Sequence, residues 1–174
     1  MKKTFGIFAL SALLANPAPA VPEDFSTTTI SIGVVVSDLD KAVDFYTDVV
    51  GMIQTGGFEI NGEFSKKSGL ADGNSAQVKV LRLGDGANAT QWKLMSFGDK
   101  AQPLQNNFVH SHTGMRYITL MVTDLSPVLK RIKERKIKLL GETPVPLGAS
   151  SHFVLIQDPD GTFIELIGPM KTSP

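Results

Sequence analysis

Val34-Val35-Val36-Ser37-Asp38-Leu39 and Leu120-Met121-Val122-Thr123-Asp124-Leu125 are two versions of one phrase. In each, an aliphatic run of strand character ends at a hydroxyl residue followed by Asp, and apolar residues at helical spacing begin there. A second echo pairs the run at 78–83 with the run at 153–157, each leading through a turn rich in Gly and Asp into another apolar segment. A chain that repeats itself in this way is built from two copies of one small module. The duplication decides the fold class, α+β, with each half reading β-α-β-β-β. Equivalent positions in the two copies can then be compared for chemistry.

Outward from the first copy, residues 29–36 are rich in Ile and Val and read as a buried strand. Ser37 or Asp38 caps the helix that follows, because a side-chain oxygen there accepts from unpaired first-turn amides. Leu39, Ala42, Val43, Tyr46, Val49 and Val50 fall at helical spacing, and Gly51 stands where a left-handed terminating residue is wanted. A short strand is expected over 52–60. Residues 61–76 are polar and Gly-rich, and read as a mobile loop able to cover a site. Residues 77–83 and 91–97 form a hairpin.

The second copy repeats the order. Residues 115–122 are a strand, Thr123 or Asp124 caps a helix, and Pro127 fits its first turn. Leu125, Val128, Leu129 and Ile132 are the apolar stripe of that helix. Residues 137–140 read as a short strand and 144–151 as a loop. A closing hairpin, 151–157 with 162–167, turns at Asp158-Pro159-Asp160-Gly161, where Pro and Gly suit a tight turn.

The amino terminus has its own logic. Lys2 and Lys3 precede an apolar stretch at 5–15 that is too short to span a bilayer, and Ala18-Pro19-Ala20 supplies a small-x-small cleavage pattern. The order predicts a secretory signal peptide over 1–20, hence a secreted or periplasmic protein with no membrane attachment after cleavage. A buried amino-terminal helix is the competing reading, but Asn16-Pro17 would break it. The remainder, 21–174, is long enough for one domain, with modules at 29–97 and 115–168 joined by a linker at 98–114. With no Cys there is neither a disulfide framework nor thiol chemistry. Lys and Arg number 17 and Asp and Glu 17, which argues against a nucleic-acid surface. The one basic run, 130–138, has helical spacing and reads as a solvated face.

Val36-Ser37-Asp38-Leu39, Phe45-Tyr46, Val50-Gly51-Met52 and Val122-Thr123-Asp124-Leu125 together resemble the vicinal oxygen chelate superfamily. So does Asp158-Pro159-Asp160-Gly161-Thr162-Phe163-Ile164-Glu165-Leu166, the most diagnostic piece. That superfamily includes glyoxalase I, extradiol dioxygenases, and fosfomycin and bleomycin resistance proteins. The resemblance covers nearly all of 29–168. It implies two tandem βαβββ modules forming a cup-shaped mixed sheet with helices on the outer face. It also implies a small-molecule or metal site in the cup, and modules that pair between chains as well as within one, so a homodimer is allowed for.

The resemblance implies four metal-ligand positions, seven residues before each strand-end Asp and on the last strand of each module. Here they are Ser31, Lys93, Tyr117 and Glu165. Lys offers no lone pair when protonated, and neutral Ser and Tyr hydroxyls are weak donors, so only Glu165 is an ordinary ligand. The expectation is therefore no cofactor, with Zn, Ni, Mn or Fe as the divalent metals a noncanonical site would hold. Strand alternation puts Ser31, Gln91, Lys93, Met95, Tyr117, Thr119, Met121, Phe163 and Glu165 on one mixed face suited to a ligand. Lys93 and Glu165 on that face can simply pair as a structural ion pair. In the functional alternative Lys93 anchors an anion or carbonyl, Glu165 is a base and Tyr117 a hydroxyl donor. His152 is expected to border the pocket mouth. His110, His112 or His152 with Glu165 is the alternative metal set, against the plainer reading of solvated loop histidines. The expected function is binding of a small organic molecule without the usual metal. The alternative is a glyoxalase-like lyase, isomerase or dioxygenase.

Overall fold

The computed structural model describes residues 24–171 except 28, 87, 99, 100 and 104; the expected signal segment lies outside the described residues. The first module runs β1 (Ser31–Val35), α1 (Leu39–Asp44), a π-helical continuation Phe45–Val50, β2 (Ile53–Ile60), α2 (Gly62–Ser68), β3 (Ala76–Arg82) and β4 (Gln91–Ser96). The second runs β5 (Tyr117–Met121), α3 (Ser126–Glu134), β6 (Val145–Leu147), β7 (Ser151–Gln157) and β8 (Phe163–Gly168). The sheets have equivalent orders, β1-β4-β3-β2 and β5-β8-β7-β6, and in each the first strand runs parallel to the last. The two tandem βαβββ modules of the sequence are thus present.

Asp38 rather than Ser37 caps α1, accepting from the Lys41 amide at 3.1 Å, and Gly51 ends the helical stretch at φ 95°. In α3 the cap differs from expectation. Leu125 holds the cap position, while Asp124 accepts from the Ser126 and Lys171 amides and so ties the carboxy-terminal segment to the helix start.

Three segments depart from the sequence reading. Residues 61–76 include a helix, because the Asn61 side chain accepts from the Phe64 amide and Gly69 closes α2 at φ 75°. Residues 137–140 are not a strand. Ile137 and Leu139 pack against the core, and the Leu140 amide donates to Leu155 O of β7, but no ladder forms. The edge strand is instead β6, within the expected loop, where Pro146 is tolerated because an edge leaves one side unpaired. The linker is also tied down. Asn106 donates to Gly161 O and accepts from Arg116, and Gln157 Nε2 donates to Asn106 O.

One core serves both modules. Val36, Phe45, Tyr46, Val49, Leu81, Trp92 and Leu94 from the first are continuous with Leu120, Leu125, Val128, Ile132, Val154, Ile164 and Leu166 from the second. Each sheet therefore buries its helix-side face; the other is left for a site, except where Val78 and Ala76 of β3 join Ile60 in a second small cluster against Val80, Met95 and Phe97.

Candidate functional site

Ser31, Gly33 and Val35 lie in register with Gln91, Lys93 and Met95, and these with Arg82, Val80 and Val78 of β3. In the second module Tyr117, Thr119 and Met121 lie in register with Phe163, Glu165 and Ile167, then with Gln157, Leu155 and Phe153. All four ligand-equivalent residues thus occupy the faces turned away from the helices, in matching places. These faces are open: Val35 is 50%, Tyr117 47% and Met121 75% exposed, while Lys93 and Glu165 are half-buried.

The polar contacts on the faces are local. Ser31 Oγ donates to Gln91 Oε1 at 2.9 Å, and Thr119 Oγ1 donates to Glu165 Oε2 at 2.6 Å. The Lys93–Glu165 ion pair, one of the two readings of these residues, is not formed; neither residue joins an ion pair among the described residues. Across the strand from Lys93 stands Gly33, where an added Cβ would meet nothing within 4 Å. The ammonium is therefore left with room beside it.

Two expectations fail on position. His152 alternates with Phe153 and lies in register with Gly168, so it faces the helix side, opposite to Glu165, with a buried and unpartnered Nδ1. It neither borders this face nor joins a metal set there. Phe163 lies in the right row but is buried, at the end of the sheet where its amide meets Arg116 O beside the tied-down linker. His110 stacks on Phe108, and His112 Nε2 lies 3.3 Å from Gln105 O; no group of three His, Asp or Glu with metal-holding geometry occurs among the described residues. Gln91, Met95, Thr119 and Met121 stand where expected.

Sequence reasoning missed Arg82. It occupies the same row as Ser31 and Gln91, is half-buried, and its Nε is buried without a partner. The signal was present in β3: alternation from Val78 through Val80 reaches Arg82 on the open face. The open face of the first sheet thus offers two cations, Lys93 and Arg82, neither in an ion pair among the described residues.

The turn Asp158-Pro159-Asp160-Gly161 has a separate role. Ser37 donates to Asp160 through its amide at 3.2 Å and its hydroxyl at 2.5 Å, and Tyr46 OH donates to Asp158 Oδ2 at 2.8 Å. Asp158 also accepts from the Asp160 and Thr162 amides. These bonds clamp one module to the other. Burial pushes the Asp158 carboxyl above its ordinary range, against the pull of its donors. Burial, then the nearby Asp158 charge, raises the Tyr46 hydroxyl well above the usual tyrosine value. A cavity of about 750 Å³ at the ends of β2, β3 and β4 touches none of the ligand-equivalent residues.

Two four-stranded sheets of this topology, with equivalent open faces, define a tandem βαβββ protein. The chain belongs to the Glyoxalase/Bleomycin resistance protein/Dioxygenase superfamily, whose profile matches residues 29–166. It is 28% identical over 139 residues to a probable lactoylglutathione lyase of Vibrio parahaemolyticus, covering 79% of this chain and 88% of the relative. A glyoxalase family protein of Bacillus cereus superposes with a TM-score of 0.69 at 18% identity, over 87% of this chain and 100% of that one. The genomically encoded fosfomycin resistance protein of Listeria monocytogenes, complexed with Mn(II) and sulfate, gives 0.53 at 14% identity, over 84% and 94%.

That fosfomycin resistance protein holds Mn(II), but the residues here do not fit a divalent metal. Of Ser31, Lys93, Tyr117 and Glu165, one is a cation and two are neutral hydroxyls. The remaining carboxylate is engaged by Thr119. Among the described residues no helix is long and apolar enough to cross a membrane.

Proposed function

We propose that this chain binds a small organic molecule on its open sheet faces without a metal at the ligand-equivalent positions, with Lys93 and Arg82 anchoring an anionic or carbonyl group. The observation that carries this reading is Lys93 itself. It stands at a ligand position, facing a glycine, with no counter-ion among the described residues. Glu165, oriented by Thr119, and Tyr117 are the polar groups of the second face. Exposed Val35, Tyr117 and Met121 are covered when a second copy sets its own face against them, so the working form is a homodimer. Export from the cell, through the amino-terminal signal, is part of the same proposal.

Elemental analysis of the purified mature protein, prepared without chelator, is the test. Less than one-tenth of an equivalent of Zn, Ni, Mn or Fe is expected; stoichiometric metal overturns the reading. In parallel, Lys93→Ala is expected to weaken binding of a bound organic anion by about tenfold or more without altering the melting temperature. A fall in stability with unchanged binding makes Lys93 structural. Sedimentation at micromolar concentration should show the dimer.

A second reading, favoured by the resemblance to a probable lactoylglutathione lyase, is lyase or isomerase chemistry. There Glu165 moves the proton, Tyr117 donates to the developing oxyanion and Lys93 stabilises its charge. Turnover of a 2-oxoaldehyde hemithioacetal that vanishes in Glu165→Gln would support it over binding alone.

A further inference from the structure

Lys136 is the one non-glycine residue with positive φ among the described residues, at 56°. Its amide donates to Lys133 O and that of Ile137 to Ile132 O, closing α3. Glycine is the usual occupant of such a position, because a Cβ opposes the left-handed backbone. A lysine kept there against strain directs attention to its side chain.

That side chain borders a cavity of about 530 Å³ between α3 and the following connector. Leu129, Ile132, Ile137, Leu139 and Pro144 supply its walls. The polar groups at its rim are two ammonium groups, Lys133 and Lys136, both exposed and neither in an ion pair among the described residues. Of the acids around the groove, Glu134 faces Lys130 and Asp48 pairs with Arg135, while Glu142 is exposed on the connector and does not line the cavity. Arg131 is occupied by the Val49 and Val50 carbonyls. Lys136 and Lys138 also line a neighbouring hollow, which they share with Asp158, itself engaged by Tyr46 and backbone amides.

We propose that this groove binds a free single-chain amphipathic anion, an aliphatic carboxylate whose tail lies on Leu129, Ile132 and Leu139 and whose head meets Lys133 and Lys136. The volume falls in the range of about 300–1,000 Å³ usual for ligand sites. Apolar walls give a small hydrophilic anion such as phosphate nothing to bury, and paired ammonium groups reject a cation. The groove lies on the helix side of the second module, separate from the open sheet faces, so the proposal stands whether or not those faces bind anything.

Decanoate is the probe, titrated calorimetrically into the full mature chain, with decanol and inorganic phosphate as controls. Saturable one-to-one binding of decanoate is expected, with each control weaker by about tenfold or more. Lys136→Gly removes the ammonium and relieves the backbone together. It should weaken decanoate by about fivefold or more while the melting temperature holds or rises. A merely structural Lys136 would move only the melting temperature. Lys66→Ala, at an exposed lysine of α2 in the first module, should leave decanoate affinity unchanged. No saturable binding, or unchanged affinity in a Lys133→Gln, Lys136→Gly double variant, overturns the proposal. So does co-sedimentation with phosphatidylglycerol vesicles by a protein that ignores free decanoate, which would make the groove a lipid surface contact.

Discussion

Replacing Tyr46 with Phe removes one oxygen from a side chain that is 0% exposed and leaves the rest of its packing intact. The lost hydroxyl is a donor to Asp158, itself 5% exposed, at 2.8 Å across the module boundary. A hydrogen bond to a charged buried acceptor is worth about 1.5–3 kcal/mol, so Tyr46→Phe should cost about 2 kcal/mol at neutral pH. For a domain of this size that is a fall of about 4–8 °C in melting temperature. The loss should shrink in acid, because the Asp158 carboxyl, raised by burial, then carries no charge for the hydroxyl to stabilise. Urea unfolding at neutral and mildly acidic pH measures both values. A double-mutant cycle with Asp158→Asn should return a coupling of about 1 kcal/mol or more. A cost below about 0.5 kcal/mol, or a cycle that closes additively, would refute the idea that this pair clamps the modules.

Asp158→Asn should change how stability varies with pH. A carboxyl raised in the fold stabilises fully below its unfolded value, about 4, and that contribution is lost as pH rises through the folded value. The variant should therefore lose the downward component of stability that sets in above about pH 4; an unchanged profile of urea midpoints would count against it. Asp38 and Asp124, held low by amides at Lys41 and Ser126, act in the opposite sense, and their contribution disappears as pH falls. Gly168→Ala would place a Cβ 2.3 Å from Val122 O and should destabilise by about 1–3 kcal/mol, whereas Gly33→Ala meets open space and should be neutral or slightly stabilising by thermal melting. If the open face is the site, Gly33→Ala should still weaken ligand binding, since its methyl group projects beside Lys93.

What the sequence made legible was whatever depends on period and local chemistry. Asp38 as a cap, Gly51 as a left-handed stop and the parity of β1, β4, β5 and β8 are all short-range facts, and they hold. Asn61 and Gly69 were equally local signals for α2, masked by the Gly and Ser content around them. The run at 137–140 misled for a different reason. Its apolar alternation is genuine, but the core rather than a ladder satisfies it. His152 was misplaced although parity with Phe153 would have corrected it. The Tyr46–Asp158 and Ser37–Asp160 bonds were out of reach, because they join residues more than a hundred positions apart.

Those long-range bonds explain why the most diagnostic stretch of the chain says so little about its chemistry. The acids of Asp158-Pro159-Asp160-Gly161 are occupied in holding two modules together, and they do this through backbone amides, a serine and a tyrosine on the helix side. Nothing in that work depends on what the opposite faces carry. The open faces are therefore free to change residue by residue while the fold persists. Lys93 places a positive charge at a half-buried position without touching the clamp. Family membership follows from the clamp and the helix-side core, whereas activity must be read from Lys93, Arg82, Tyr117, Thr119 and Glu165. A charge-reversing variant, Lys93→Glu, separates the two. It should leave the cooperative unfolding transition nearly unshifted and abolish anion binding at the open face, whereas a collapse of the transition would show that fold and face are not independent.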